Sequence, residues 1–500
     1  MNEPVLVSGL VRFWASRAPE RIALIEQDRS WSYGELDVAI LKTAAWLTRA
    51  GVRAGDRVMV VCENCCAAVS LFLAATAIDA WPVVVNARLS ERELDEIAAH
   101  SEARRIVFTT SVSPRANAHA ERLNATFEDP AGFGLIGLAP LNEACAPEPL
   151  ERAAEKNVAA LIYTSGTTGK PKGVMLSHAN LMFVAKASGA ARLLTQDDRV
   201  YAVLPVSHIL GLTGVLLGSL YYGASVQLVS RFDPALALRA MQNGVSVMIG
   251  TPSMYGMISE YATRKGVTPI NGPHLRLISS AGAPLDAATK TTVEAAFGQT
   301  LHNGYGITEC SPTITLTPLD APRSDCGIGR LLPGIEAKIS GDDVGELFVR
   351  SAGVMKGYYK APEETAAVID AEGWFQTGDL ARFADGSWFI AGRAKEMIIR
   401  FGSNVYPAEV EGVLNAHPAV ARSAVIGRQK DGSEEIVAFI DPAPGATATV
   451  TQLAAYAASK LAPYKQPSEI VLMPNMPLSP AGKILKSELT ALAAQMAKAV

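Results

Sequence analysis

The chain has 500 residues, 49% of them hydrophobic, which is more than one core normally holds and ample to bury several. A formal net charge of -4, with 45 basic and 49 acidic residues interspersed, leaves no basic stripe of the kind that nucleic acid or an anionic membrane surface requires. The start Met-Asn-Glu-Pro lacks the basic residues and apolar run of a secretory signal, so a cytoplasmic protein is expected.

In chain order, apolar strand-like runs at Val58–Cys62, Val83–Asn86, Arg105–Phe108, Ala159–Tyr163, Arg199–Leu204, Ser225–Val229, Val247–Ile249 and Leu275–Ser279 alternate with helical segments. Such alternation predicts α/β layers around a largely parallel sheet. Two long apolar stretches, Ala67–Val85 and Val200–Val229, are broken by Asp79 and Pro82 in the first and by His208 and glycines in the second. They read as buried helix-plus-strand segments, not as membrane spans. Cysteines at 62, 65, 66, 145, 310 and 326 include one close group, but no second Cys or His pair lies near it at ligand spacing, so reduced thiols without a disulfide framework are expected. From about Gly327 the strands shorten and glycine turns multiply, as at Gly345–Arg350 and Ser387–Ala391, which predicts a β-rich subdomain. A charged junction at Gly392–Arg400 follows. Beyond it, strands at Ala424–Gly427 and Ile436–Ile440 and helices at Val450–Leu461 and Lys486–Ala497 suffice for a small α+β domain. The expected division is 1–394 and 395–500.

Residues 164–173 read Thr-Ser-Gly-Thr-Thr-Gly-Lys-Pro-Lys-Gly. Glycines at 166, 169 and 173 let the backbone approach an anion, and four hydroxyls and two ammonium groups add donors and charge, so the run suits a polyphosphate. A Walker A loop is excluded, because two residues rather than four separate Gly166 from Gly169 and Pro171 follows Lys170. Three further clusters matter beside this loop. At 302–309 the chain reads His-Asn-Gly-Tyr-Gly-Ile-Thr-Glu, where glycines expose Tyr305 as a flat face for a purine, while Thr308 offers a hydroxyl to phosphate and Glu309 a carboxylate to Mg²⁺. At 377–379 Thr-Gly-Asp presents a carboxylate able to bind a ribose diol, and Pro-Leu-Ser-Pro-Ala-Gly-Lys at 477–483 sets a lysine on a rigid turn. Each cluster alone is a common turn or a solvated charge.

Together and in this order they resemble the adenylate-forming superfamily of acyl-CoA synthetases, luciferases and adenylation domains. The resemblance runs through Trp31-Ser-Tyr-Gly-Glu-Leu, Leu204-Pro-Val-Ser-His-Ile, Ser280-Ala-Gly-Ala-Pro-Leu and Gly392-Arg-Ala-Lys-Glu-Met-Ile. It implies a large α/β N-terminal domain, a small mobile C-terminal domain and two half-reactions. A carboxylate and Mg-ATP give acyl-AMP and pyrophosphate, and then a thiol, coenzyme A, takes the acyl group and releases AMP. The resemblance puts Thr164, Ser165, Gly166, Thr167, Thr168, Gly169 and Lys172 on the β and γ phosphates, and Gly282, Ala283 and Pro284 with Tyr305 around adenine. Thr308 and Glu309 stand at the α-phosphate and Mg²⁺, Asp379 and Arg393 at the ribose, and Lys483 between carboxylate and α-phosphate as the catalytic lysine of the first step. Lys395 takes the hinge position and Gly402 the face that meets the thiol channel.

The same resemblance places His208 at the carboxylate end of an acyl pocket walled by Ile209, Leu210, Gly211, Ala281, Gly304, Gly306, Ile307, Pro312 and Ile314. No basic side chain falls among them, so a second carboxylate would be buried unpaired at high cost. An apolar monocarboxylic acid is expected, either a medium-chain fatty acid or an aryl-substituted one. A 4-coumarate- or cinnamate-type aryl-CoA ligase and a stand-alone adenylation enzyme loading a carrier protein are the alternatives. Monomer and homodimer both stay open.

Overall fold

The computed structural model describes residues 3–27, 29–165, 171–270, 272–400, 403–430, 433–443, 445–478 and 484–498, with the side chains of Ser165 and of residues 497 and 498 left out. Its largest sheet has nine strands, in the spatial order Arg330–Leu331, Thr313–Leu316, Leu301–Gly306, Leu277–Ser280, Val247–Gly250, Arg199–Ala202, Ser225–Leu228, Ile22–Glu26 and Arg29–Ser32. The six strands from Leu301–Gly306 to Ile22–Glu26 are parallel, and antiparallel strands flank them on both sides. Val247–Gly250 and Leu277–Ser280 are buried at every position, as a parallel strand covered on both faces must be. Leu277 packs into one hydrophobic cluster and its neighbour Ile278 into another. The expected parallel core is therefore present, with strand ends within two residues of those read from the sequence.

Parallel strands deliver their connecting loops to one edge of the sheet, and ligands in such folds collect there. Here Leu204–His208 leaves Arg199–Ala202, the run Ala281–Pro284 leaves Leu277–Ser280, and Ile307–Glu309 leaves Leu301–Gly306. Three motifs far apart in sequence thus emerge from the carboxyl ends of strands in one sheet. A second sheet of five strands, Trp81–Asn86, Arg57–Cys62, Arg105–Phe108, Ile136–Leu138 and Thr126–Glu128, is tied to the first by Asn64. That buried amide donates to Ala202 O and Leu204 O, each at 2.9 Å, and accepts from Val206 N at 2.8 Å, which fixes the segment entering His208.

The first long apolar stretch is the helix Cys66–Ala77 followed by the strand Trp81–Asn86, and no described helix is long and apolar enough to cross a membrane. The second holds Arg199–Ala202, a π-helical segment Leu210–Leu217, a short helix Gly218–Tyr221 and Ser225–Leu228. The wide π turn was not expected from the sequence. It brings Gly211 so close to the preceding segment that a Cβ there would lie 2.1 Å from Pro205 O, a space only glycine can occupy. All six cysteines are free thiols and five are buried. Burial is the main cause that pushes the Cys65 thiol up to about 12.

Val158–Ser165 and Pro171–Ser177 form an antiparallel hairpin, to which Gly357–Tyr358 adds a third strand. Ile335–Ile339, Gly345–Ser351, Phe375–Ala384 and Ser387–Arg393 make an antiparallel sheet, the expected β-rich region. After Arg393 come a short hairpin and a three-stranded sheet of Val420–Lys430, Ser433–Pro442 and Glu469–Leu472. Strand alternation sends Val425, Ile436 and Ala438 to one face, against Leu414 and Leu453, and Ala424, Val437 and Phe439 to the other, against Leu489 and Ala493. Both small clusters consist only of residues beyond 397.

Candidate active site

The glycine-rich run 164–173 includes the facing ends of the two hairpin strands. Thr164 pairs with Lys172, Ser165 with Pro171 and Tyr163 with Gly173, so the chain returns antiparallel instead of entering a helix. Gly166, Thr167, Thr168 and Gly169 lie outside the described residues, as do Lys483 and Gly402. Lys172 is held by an ion pair to Glu364 and stands over the ring of Tyr358, its Nζ 5.0 Å from the centroid. The hydroxyl of Tyr358 donates to Glu309 Oε1 at 2.9 Å. Lys172 and Glu309, 137 positions apart in the chain (309 minus 172), therefore share one aromatic neighbour.

A second cluster surrounds Asp379, which is 2% exposed. Asp379 and Arg393 face each other across antiparallel strands, with Arg393 Nε 2.7 Å from Asp379 Oδ1. Tyr305, from the neighbouring nine-stranded sheet, donates its hydroxyl to Asp379 Oδ2, and Asp379 N donates to Thr377 Oγ1 at 3.1 Å. Burial, then the adjacent Asp379 charge, pushes the Tyr305 phenol well above its ordinary range, so it remains a donor. The carboxylate read as a ribose ligand and the ring read as a purine platform are thus joined directly. Gly282, Ala283 and Pro284 form a partly exposed turn after Leu277–Ser280, a strand whose Ser280 is in register with Asn303 of the Tyr305 strand. Gly282 takes φ +82°, which favours glycine.

Thr308 and Glu309 sit on a single 3₁₀ turn, Thr308–Cys310, and Glu309 O accepts from Met355 N at 2.8 Å. Ile307 N donates to Pro312 O at 3.1 Å, which folds Pro312 back over Gly306. A Cβ on Gly306 would stand 2.1 Å from that same oxygen. The approach of backbone to backbone explains this glycine more fully than exposure of Tyr305 does.

On the acyl side, Ile209, Leu210, Gly211, Ala281, Gly304, Pro312 and Ile314 are buried, Gly306 and Ile307 are half-buried, and His208 is exposed. His208 Nδ1 accepts from Leu210 N at 3.3 Å. Leu210 reaches between two glycines, its methyls 2.9 Å from a Cβ built on Gly214 and 3.6 Å from one built on Gly282. Thr313 Oγ1 lies 3.7 Å from the same Gly214 position, is 4% exposed at the residue level, and has no hydrogen-bond partner among the described residues. Thr313 was missed in sequence because the wall was sought among apolar and small residues. Tyr358 and Glu364 were missed because nothing in Gly357-Tyr358 or in the Pro362–Ala366 helix signals phosphate chemistry.

Lys395 is exposed on the turn Ala394–Glu396, directly after the strand that ends at Arg393. The stem of the lysine turn is described even though Lys483 is not. Leu478 and Ile484 pair, Leu485 N donates to Pro477 O at 2.9 Å, and Lys486 forms ion pairs at 2.9 Å with both Glu396 and Glu411. Two open surface depressions of about 430 and 420 Å³ lie elsewhere, the first around Phe297 and Arg276 and the second around Trp46 and Arg105, and neither contains a residue of these clusters. The chemistry is read from the clusters, since they hold the motif residues and those depressions hold none of them.

The glycine contacts separate two kinds of constraint. Gly306→Ala is expected to force the Pro312 backbone aside and lower the thermal midpoint by roughly 2–6 °C. Gly282→Ala meets only ordinary contact and a positive φ, and should cost less, about 1 kcal/mol. Thermal unfolding of the two variants checks the order.

Comparison with known proteins identifies the family. The family model for AMP-binding enzymes matches residues 11–359, and the model for the AMP-binding enzyme C-terminal domain matches residues 409–483. The chain is 33% identical to a feruloyl-CoA synthase from Amycolatopsis sp over 491 residues, covering 95% of this chain and 96% of that one. It is 31% identical to 4-coumarate--CoA ligase 2 from Solanum tuberosum, covering 93% and 89%. Among solved structures it is similar to ATP-bound MatB from Rhodopseudomonas palustris, with a TM-score of 0.85, 29% identity and coverage of 97% and 98%. The o-succinylbenzoate CoA synthetase MenE from Bacillus subtilis, in complex with an acyl-adenylate, is similar with a TM-score of 0.81, 27% identity and coverage of 96% and 97%. With the motifs, the fold and full-length relatives in agreement, the chain belongs to the AMP-binding enzyme family, the adenylate-forming superfamily, and is an enzyme of its acid–thiol ligase class.

Proposed function

We propose that the protein is an AMP-forming CoA ligase for an apolar aryl or acyl monocarboxylic acid. A substrate carboxylate oxygen attacks the α-phosphorus of ATP, pyrophosphate leaves, and coenzyme A then takes the acyl group as a thioester while AMP departs. The observation that carries this reading is the buried Asp379 held by Tyr305 and Arg393, in a chain whose full-length relatives are named as CoA ligases. In this reading Asp379 and Arg393 bind the ribose and Tyr305 with Gly282, Ala283 and Pro284 borders adenine. Thr164, Lys172 and the residues of the hairpin turn meet the β and γ phosphates, and Thr308 meets the α-phosphate.

Mg²⁺ needs few protein ligands when phosphate oxygens and water complete its shell. Glu309 suits such a site. It is half-buried with one oxygen held by Tyr358, and no group of three or more His, Cys, Asp or Glu side chains able to form a metal cage occurs among the described residues. Bound there, Mg²⁺ would neutralise phosphate charge. Lys483 is the cation for the transition state of adenylation, where two anions converge on phosphorus. The proposed division at 394/395 is supported by the separate hydrophobic clusters beyond residue 397, with Lys395 as hinge and Gly402 on the face turned to the thiol. The proposed setting is the cytoplasm, where both ATP and coenzyme A are present.

For the acid, the aryl reading gains from Thr313. A buried hydroxyl with no partner among the described residues costs free energy that a polar ring substituent would recover. Leu210 has no hydroxyl to offer, whereas Thr313 does.

The primary test is pyrophosphate release and product mass across short, medium and aromatic acids, with and without coenzyme A. Thioester formed only with coenzyme A supports the ligase, while acyl-AMP accumulating in either case would make the protein a carrier-loading adenylation enzyme. In the same assay Lys483→Ala is expected to lose acyl-AMP formation by about 10²-fold or more while thioester formation from supplied acyl-AMP is largely kept. Equal loss of both half-reactions would reject the assigned role. Thr313→Val, nearly isosteric, is expected to lower the kcat/KM ratio of 4-coumarate to cinnamate by roughly 3- to 10-fold. An unchanged ratio would remove Thr313 from acid recognition.

A further inference from the structure

Tyr358 lies outside the sequence clusters read above, yet it touches both ends of the proposed phosphate machinery. Its backbone pairs with Val174, two residues beyond Lys172, and its neighbour Gly357 pairs with Met175. Its amide donates to Thr365 Oγ1 at 2.9 Å, and the side chain is buried. The side chain is therefore aimed from a fixed strand. From there the hydroxyl reaches Glu309 Oε1 at 2.9 Å, and the ring face lies 5.0 Å from Lys172 Nζ. The turn after Ser351 closes the circuit on the other side, since Met355 N donates to Glu309 O at 2.8 Å and Lys356 N to Met175 O at 2.9 Å.

A carboxylate on a single 3₁₀ turn rotates freely unless something holds one of its oxygens. Glu309 is followed within two residues by Ser311 at φ +70°, so no regular helix packs around it. A charge-assisted hydrogen bond from a buried phenol supplies that restraint. We propose that Tyr358 is the positioning residue of the metal–phosphate end of the site: its hydroxyl orients Glu309 and its ring seats Lys172, so one rigid side chain sets the spacing between the carboxylate that would ligate Mg²⁺ and a cation that would meet the phosphates. The proposal rests on the reading of Glu309 as the Mg²⁺ ligand.

Two substitutions separate the two halves. Tyr358→Phe keeps the ring and removes the hydroxyl, whereas Tyr358→Leu removes both. ATP is titrated calorimetrically into the wild type, both variants and Glu309→Gln, once with excess Mg²⁺ and once with EDTA, after thermal midpoints have shown that each variant is folded. Tyr358→Phe is expected to lose about tenfold in ATP affinity with Mg²⁺ and to stay within about twofold of wild type in EDTA. Tyr358→Leu is expected to lose affinity in EDTA as well. Equal losses for Tyr358→Phe in the two buffers, or none in either, would overturn the hydroxyl's role, and identical behaviour of Leu and Phe would overturn the ring's. If Glu309→Gln retains the full Mg²⁺ enhancement, the reading of Glu309 itself fails. Enhancement lost in Glu309→Gln but kept in Tyr358→Phe rejects Tyr358 alone.

Discussion

The proposed nucleoside end of the site depends on one buried carboxylate. Taking Asp379 out of water costs several kcal/mol, and the loss is made up only where its oxygens are well bonded. Arg393 and Tyr305 do this from different sheets, the first across a strand pair and the second from the end of a parallel strand. Satisfying the carboxylate therefore docks the antiparallel sheet onto the parallel one, and the same contact builds a surface with a ring, a guanidinium and an anion side by side. Stability and preorganisation are one requirement at this point in the fold.

The proposed phosphate end differs from the strand-to-helix loops that cradle phosphate with a helix N-terminus, since its two flanking strands are antiparallel. A strand and not a helix begins at Pro171, so positive charge on the described residues comes from side chains held in place by neighbours. Lys172 is held by Glu364 and Tyr358. The lysine turn is held at its stem, where Lys486 ion-pairs with Glu396 and Glu411. Glu396 lies one residue beyond Lys395, so the proposed rotation at Lys395 would carry the stem and its ion pairs as a unit without breaking them.

Much of this was legible in the sequence. The strand at Val58–Cys62 could be read because a fully buried parallel strand is a continuous apolar run, and those at Arg105–Phe108 and Ser225–Val229, only partly buried, from their shorter apolar runs; the structure shifts the ends of all three by no more than a residue. Tyr305, Asp379, Arg393 and Glu309 were identifiable as functional types in an ordered set of motifs. Their mutual contacts were not, because a bond between residues 74 apart, as from Tyr305 to Asp379, depends on how two sheets meet, and motif spacing does not encode that. The π segment Leu210–Leu217 escaped for a related reason. Its residues are buried all round, so no amphipathic period reports the winding of the helix.

In the proposed site that segment also bears on which acids the enzyme accepts. A helix buried on every side cannot move aside for a substrate, so the room beside it is set by the residues that lack side chains. Gly211 is required by the Pro205 carbonyl and leaves no freedom. Gly214 is different: a Cβ there would press on a Leu210 methyl and approach the Thr313 hydroxyl, both of which belong to the acyl side. The depth of the pocket would thus be governed by Gly214 and Leu210, and its polarity by Thr313. Variation at these three positions would then change the acid without disturbing Asp379, Glu309 or Lys172, which the proposed site gives to the nucleotide.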